Sequence, residues 1–247
     1  MSDGCGNTDV FHPAPLPQEY MDLNMKYKDC DPIKIELHTR EQSDSAQWYN
    51  ERKNRLTASN FGKILQRKST PNEKFLGSIF NIKKISAPSL EYGKTHEKDA
   101  KSKYLKDFPA RHIHTCGLVI NKEFAFLGAT PDGKMCNNGH CGLIEIKCPY
   151  SARNMTIAEA CENLRDFFLC KNNEITLKKN HAHYAQIQGQ LMITGCAFCD
   201  FVVFTQKDIF VERIQPDLPF MTTMLEKLCV FFKTYAKPFL AKHTVQT

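Results

Sequence analysis

The apolar positions change period along the chain, and the changes mark out elements. From Ser43 apolar residues recur at helical spacing, with Trp48 the only tryptophan. A second short helix is predicted over residues 58–65, with Thr57 at its N-cap position. Residues 67–89 are polar and broken by Pro and Ser at both ends, around an apolar patch at 75–82. Residues 91–105 have the period of a helix. The period then shortens. Apolar runs at 117–120 and 123–127, separated by Asn121 and Lys122, predict a hairpin. Residues 143–148 alternate as a strand does, which puts Leu143, Glu145 and Lys147 on one face. Thr156-Ile-Ala-Glu159 is a capping box that opens a helix towards Leu169. Residues 181–194 predict another helix, with His183, Gln186 and Gln190 in one polar stripe. Runs at 201–205 and 209–214 predict a second hairpin, and a last helix carries Phe220, Met224, Leu228, Phe231 and Phe232. The order of elements suggests one α/β domain from residue 43 to 242. Residues 1–42, with prolines at 13, 15, 17 and 32 and no sustained period, suggest an extended leader.

Composition narrows the class. Of 247 residues, 42% are hydrophobic and 11% aromatic, enough for a packed core, which excludes disorder throughout. No run of about 18 apolar residues predicts a membrane span. No basic-then-apolar start suggests a signal peptide. The expectation is a soluble, intracellular protein of the cytoplasm or nucleus. The net charge of +6 is unevenly placed. Residues 1–44 hold four basic and nine acidic side chains, net −5, so the remainder carries 29 and 18, net +11. A body this basic suits a polyanionic partner. The eleven cysteines are odd in number and irregularly spaced, as expected of reduced thiols. Cys136, His140 and Cys141, with Cys196 and Cys199, could be weighed as zinc ligands, but the spacing of a structural site is missing, and buried thiols are the simpler expectation.

The chemistry concentrates in Gly128-Ala-Thr-Pro-Asp132-Gly133 and in Glu145-Ile146-Lys147, thirteen residues after Asp132. A turn at Pro-Asp-Gly can set Asp132 beside the strand that carries Glu145 and Lys147. Two converging carboxylates repel, so one takes a proton or both take a cation. Hard oxygen donors without histidine favour Mg²⁺ or Mn²⁺ over zinc. A lysine one strand step away can orient a water or neutralise charge growing on a phosphate. A strand with a solvent-facing charged edge and an ordinary turn would leave the same residues, so the segment alone leaves both options open.

Pro131-Asp132 with Glu145-Ile146-Lys147 resembles the PD-(D/E)XK nuclease signature. More narrowly, the chain resembles the YqaJ viral recombinase, lambda exonuclease-like group. The likeness runs in order through residues 48–59, 93–100, 129–151 and 184–188. It implies a restriction-endonuclease-like core, with a central mixed β-sheet flanked by helices, over residues 43–247. It implies that Asp132, Glu145 and the Ile146 carbonyl bind one or two Mg²⁺ ions, with Mn²⁺ as alternative, and that Glu97 assists. Lys147 is similar to the family's catalytic lysine and Gln186 to the glutamine near the attacking water. Arg52, with Ser59, Thr57 and Thr130, resembles a pocket that grips a terminal 5′-phosphate, Thr130 standing where the family has a serine. Taken alone, Glu97 is equally an i,i+4 partner for a lysine on its helix, Gln186 part of a solvent stripe and Arg52 an exposed charge.

The expected function is a metal-dependent 5′→3′ exonuclease on duplex DNA ends, used in recombination or end processing. The alternatives are an endonuclease or nickase on the same fold and an inactive DNA-binding module. A single-strand annealing partner and a ring-like homo-oligomer follow from the resemblance alone. No membrane partner is expected. The loop between Asp132 and Glu145 is longer than the family pattern, and the acidic leader has no counterpart in it.

Overall fold

The computed structural model describes residues 13–80 and 87–244. Its helices are α1 (Pro32–His38), α2 (Ala46–Arg52), α3 (Ala58–Leu65), α4 (Glu73–Phe80), α5 (Pro88–Asp107), α6 (Ile157–Asn163), α7 (Ala182–Thr194), α8 (Leu218–Phe231) and α9 (Lys237–Thr244). Its strands are β1 (Leu56–Thr57), β2 (His112–His114), β3 (Leu127–Gly128), β4 (Gly133–Asn137), β5 (His140–Lys147), β6 (Leu169–Lys171), β7 (Ile175–Leu177), β8 (Cys199–Phe204) and β9 (Ile209–Ile214). A mixed sheet of order β2-β4-β5-β8-β9 sits at the centre. In it β5 and β8 run parallel and the other neighbours antiparallel.

The two faces of β5 go to different layers, as period two requires. Ile144 and Ile146, with Met135, Phe198 and Val202, pack against Ala100 and Tyr104 of α5. Leu143 on the other face joins the larger core, with Cys199, Phe201 and Val203 and with Ile187 and Leu191 of α7. α3 and α7 cross at close range because glycines face the contact. A Cβ on Gly62 would fall 2.5 Å from Ala182 Cα, and one on Gly189 2.4 Å from the Phe61 ring. Phe61 is wholly buried at this crossing, worth about 2–3 kcal/mol by burial, so α7 is held firmly over the sheet. Gly195, at φ 71°, then ends α7 in the left-handed conformation that glycine tolerates.

Helices α2, α3, α5 and α7, strand β5 and the β8–β9 pair lie where the sequence predicts them, and the capping box at Thr156 and Glu159 is formed. Four segments differ. The leader, expected to be partly extended, is mostly helical over its described part, with residues 13–17 outside any helix. Residues 18–27 form a 3₁₀ helix and 32–38 form α1, capped by Asp31, and Leu16, Leu23, Tyr27 and Ile35 enter the main core. Residues 1–12 of that leader lie outside the described residues. The expected hairpin at 117–127 is a bridge from Val119 to Ala129 and a 3₁₀ turn at Lys122–Phe124, because the Asn121 side chain accepts from Glu123 N and closes the turn. α6 stops at Asn163 instead of reaching Leu169, since Leu164 is already extended and residues 169–177 pair as the β6–β7 hairpin. Thr57 is the N-cap of α3 but makes no capping bond; its hydroxyl lies 3.3 Å from Ser59 Oγ and accepts from Asn60 Nδ2. The apolar patch at 75–82 becomes the end of α4, and its last two residues lie outside the described ones. Among the described residues no helix is long and apolar enough to cross a membrane.

Candidate active site

Asp132 and Glu145 meet because of strand register. Gly133 pairs with Ile144 across β4 and β5, so Asp132, one residue further, stands opposite Glu145. Like charges in such a cross-strand position repel. Asp132 Oδ2 accepts from Ile146 N at 2.7 Å, which fixes its carboxylate against the β5 backbone. Burial, and then the charge of Glu145, push the Asp132 carboxyl well above the usual carboxylate range. Lys147 projects on the same face as Glu145 and donates to its Oε1 at 2.5 Å. Burial works against the ammonium, but Glu145 and Asp132 outweigh it and raise the lysine above its ordinary value. The group is thus two carboxylates and one cation in a space with little water: Glu145 is 2% exposed.

α7 supplies two amides to the same carboxylate. Gln186 Nε2 donates to Glu145 Oε1 at 2.6 Å and Gln190 Nε2 to Oε2 at 2.7 Å. His183, on the same helix, is held neutral, its imidazole lowered to about 2 by burial and by the nearby Lys147. Glu97 on α5 accepts from Lys101 Nζ at 2.7 Å, and that ammonium also donates to the Asp132 carbonyl at 2.8 Å. Glu97 is therefore in an i,i+4 ion pair and tied to the Asp132 turn as well. Burial, then Glu97 and Asp132, push the Cys148 thiol up to about 12, which leaves it inert.

A second cluster lies two residues before Asp132. Arg52 packs over the Trp48 ring, 4.0 Å from its centroid, one helical turn away on α2. Its Nη1 donates to Thr130 Oγ1 and its Nη2 to Ser59 Oγ, both at 3.3 Å, and Trp48 Nε1 donates to Thr130 Oγ1 at 3.1 Å. Arg52 is only 9% exposed, and its Nε has no hydrogen-bond partner. Burial lowers the guanidinium to about 10. Its neighbour Arg55 is buried too, but that side chain has Glu51 at 2.5 Å. A buried guanidinium held by neutral hydroxyls, with its Nε–H unused, has the chemistry of an anion site. Ser59 and Thr57 bring it to the start of α3, where backbone N–H groups face outward.

The donors near Asp132 fit a hard divalent cation. Two carboxylates and the Ile146 carbonyl are oxygen donors of the kind such an ion takes, and burial together with Glu145 raises the Asp132 carboxyl, which a cation would offset. Among the described residues, no three His, Cys, Asp or Glu side chains gather as a ready-made metal cage. That holds for the cysteine loop as well. Cys136 and Cys141 face each other across β4 and β5 with sulfurs 2.7 Å apart, while His140 pairs with Asn137 beside the turn.

Three residues with a place in this geometry carry no signal of a role in the sequence, or only a weak one. Gln42, at φ 47°, donates from Nε2 to the carbonyls of Cys116 and Pro131 at 2.9 and 3.1 Å, pinning the turn that carries Asp132. A glutamine in a polar stretch gives no hint of this. Lys101 and Gln190 stand four residues after Glu97 and Gln186, so only helical spacing could have pointed to them.

The YqaJ-like viral recombinase domain matches residues 47–197. No curated protein sequence matches the chain significantly. Among solved structures, the fold is similar to LHK-Exo, an alkaline exonuclease of Laribacter hongkongensis, in complex with dAMP. The TM-score is 0.61 at 20% identity, over 82% of this chain and 100% of that one. It is also similar to SOX, the shutoff and exonuclease protein of Kaposi's sarcoma-associated herpesvirus. For its DNA complex the TM-score is 0.57 at 13% identity, over 85% of this chain and 71% of that one. For the RNA complex it is 0.58 at 13% identity, over 84% and 74%.

Proposed function

The chain belongs to the YqaJ-like viral recombinase domain family, and from that premise we propose that it is a Mg²⁺-dependent deoxyribonuclease that degrades duplex ends in the 5′→3′ direction. The observation that carries the proposal is the buried Asp132–Glu145–Lys147 group, two opposed carboxylates with a lysine on the same strand face. Asp132, Glu145 and the Ile146 carbonyl would hold the cation, with Glu97 beside them. When bound, such an ion polarises a phosphate and makes a water more acidic.

The side chains do the rest. Lys147 stays charged beside Glu145, so its ammonium can orient the attacking water and meet negative charge growing on the phosphate. Gln186 holds Glu145 in place through Oε1. Arg52 would grip the terminal 5′-phosphate with the guanidinium N–H groups that now meet only neutral hydroxyls. Thr130, which accepts from Arg52, is two residues from Asp132, a chain span of at most about 7 Å. An end anchored at Arg52 would therefore bring a phosphodiester near the turn that carries Asp132. Such an anchor would set the 5′→3′ polarity, and the LHK-Exo structure contains a mononucleotide, dAMP. The basic body of the chain, net +11 outside residues 1–44, suits DNA as the partner.

The test is digestion of a linear duplex labelled at one 5′ end, with Mg²⁺, with EDTA and with Glu145→Ala, beside a covalently closed circle. The expected outcome is release of labelled mononucleotide that needs Mg²⁺, is lost in the variant and spares the circle. Cutting of the circle would establish an endonuclease instead. Tight, salt-sensitive binding without cleavage of either substrate would establish a binding module.

A further inference from the structure

We propose that Gln190 is a positioning residue that sets the Glu145 carboxylate for the cation, an assignment that rests on the nuclease reading above. Gln186 and Gln190 are one helical turn apart on α7 and each takes a different oxygen of Glu145, at 2.6 and 2.7 Å. With Lys147 also on Oε1, the carboxylate is braced at both oxygens. Its plane is fixed, and it cannot turn about its last bond.

Gln188 shows what a merely structural glutamine looks like in this helix, and Gln190 differs from it. Gln188 is fully buried and satisfied at both ends by backbone, Nε2 donating to Gln215 O and Oε1 accepting from Asp217 N. Gln190 is 1% exposed, gives its donor to a carboxylate and leaves Oε1 buried without a partner. Turning the amide over would set Oε1 against the Glu145 oxygen, so the carboxylate dictates the orientation and the orphan acceptor is its consequence. A buried acceptor left unmatched is unfavourable. A leucine or methionine would fill the same space without that cost. What the glutamine adds is the hydrogen bond to Glu145 Oε2. The helix that carries it is clamped by the contacts at Gly62 and Gly189, so the amide is presented by a rigid element.

The test compares the parent with Gln190→Met, which keeps the volume and removes the donor. Mn²⁺ binding is followed by the electron paramagnetic resonance of the free ion, and cleavage of a 5′-phosphorylated duplex by kcat and KM. The variant should bind Mn²⁺ about 10- to 100-fold more weakly and lose kcat at limiting metal, the usual cost of removing a group that orients a ligand. KM for DNA and the thermal midpoint of the metal-free protein should stay with the parent, while a packing role would leave Mn²⁺ affinity unchanged as well. Should Gln190→Met fail to fold, Gln190→Asn withdraws the amide by one methylene and should show the same loss. Mn²⁺ affinity and kcat within about twofold of the parent in the folded variant would overturn the assignment. A parent that neither binds Mn²⁺ nor cleaves DNA would overturn the nuclease reading itself, so the two failures are told apart.

Discussion

Arg52 allows the end-recognition argument to be tested with a number. Its guanidinium is 9% exposed, shares two N–H groups with neutral hydroxyls at 3.3 Å and leaves Nε unused. A terminal phosphate would take two charge-assisted hydrogen bonds, each worth about 1.5–3 kcal/mol. Because the phosphate gives up water to make them, the lower end applies, about 3 kcal/mol in all, or roughly 100-fold in rate at limiting substrate. The parent should therefore favour 5′-phosphorylated over 5′-hydroxyl duplexes by about that factor in kcat/KM. Arg52→Met, which keeps the side-chain volume, should bring the ratio to about one while leaving the rate on hydroxyl ends alone. Stability should move the other way. Burial lowers this guanidinium from 12.5 to about 10, so keeping it charged costs the fold about 3 kcal/mol. Removing the charge should leave the metal-free protein as stable as the parent or more so. A variant that keeps the phosphate preference would refute the pocket. One that is strongly destabilised with the preference intact would show that Arg52 serves the fold instead.

Three further outcomes follow. Lys147→Ala should abolish cleavage with DNA affinity by fluorescence anisotropy nearly unchanged; weakened binding at full turnover would contradict its role. His183 titrates at about 2 in the fold against an ordinary 6.5, so its stabilising neutral form is fully present above pH 6.5 and is lost as pH falls towards 2. The loss should be about 1.4 kcal/mol for each unit of pH. His183→Phe should flatten the urea-unfolding stability between pH 6 and 4, and an unchanged slope would rule the residue out as its source. The Asp132 carboxyl is raised by burial and Glu145, so ionising it is unfavourable in the metal-free fold and stability falls as pH rises above 3.8. Mg²⁺ offsets that repulsion only where Asp132 is ionised. The rise in thermal midpoint on adding Mg²⁺ should be larger at pH 8 than at pH 5, and an equal or larger rise at pH 5 would sink the argument.

The parts of the fold legible in the sequence are those whose period is set by one local contrast. α3 shows an apolar stripe, α7 a polar one on an apolar helix, β5 alternates, and β8 and β9 are apolar runs separated by polar residues. Segments whose structure depends on partners far along the chain are not legible. β4 reads only as the turn before it, since Met135 and Cys136 are a short apolar pair between polar residues. The leader helices have little period of their own because Leu23, Tyr27 and Ile35 are buried by the main core. The β6–β7 hairpin continues what reads as the end of a helix until Leu164 turns extended. Tertiary context overrides propensity in each case.

The site divides in the same way, and Glu97 shows why the division is informative. The same-face placement of Glu145 and Lys147 needed nothing beyond period two. For Glu97 the sequence left two options, a surface ion pair with a lysine or a place beside the metal carboxylates. The structure shows the ion pair and ties it to the Asp132 turn. Lys101 pairs with Glu97 one turn away and reaches the Asp132 carbonyl 31 residues along the chain. The helix of Glu97 is thereby fastened to the turn that presents Asp132. Local spacing predicts the ion pair, but no local rule predicts the carbonyl at its end. Gln42 on Pro131 and Gln190 on Glu145 are of the same kind. The groups that would touch substrate or metal are set by strand and helix periods, while the groups that aim them come from elements that meet only in the folded chain. A sequence pattern can therefore locate the chemistry of such a site well before it can locate what holds that chemistry in place.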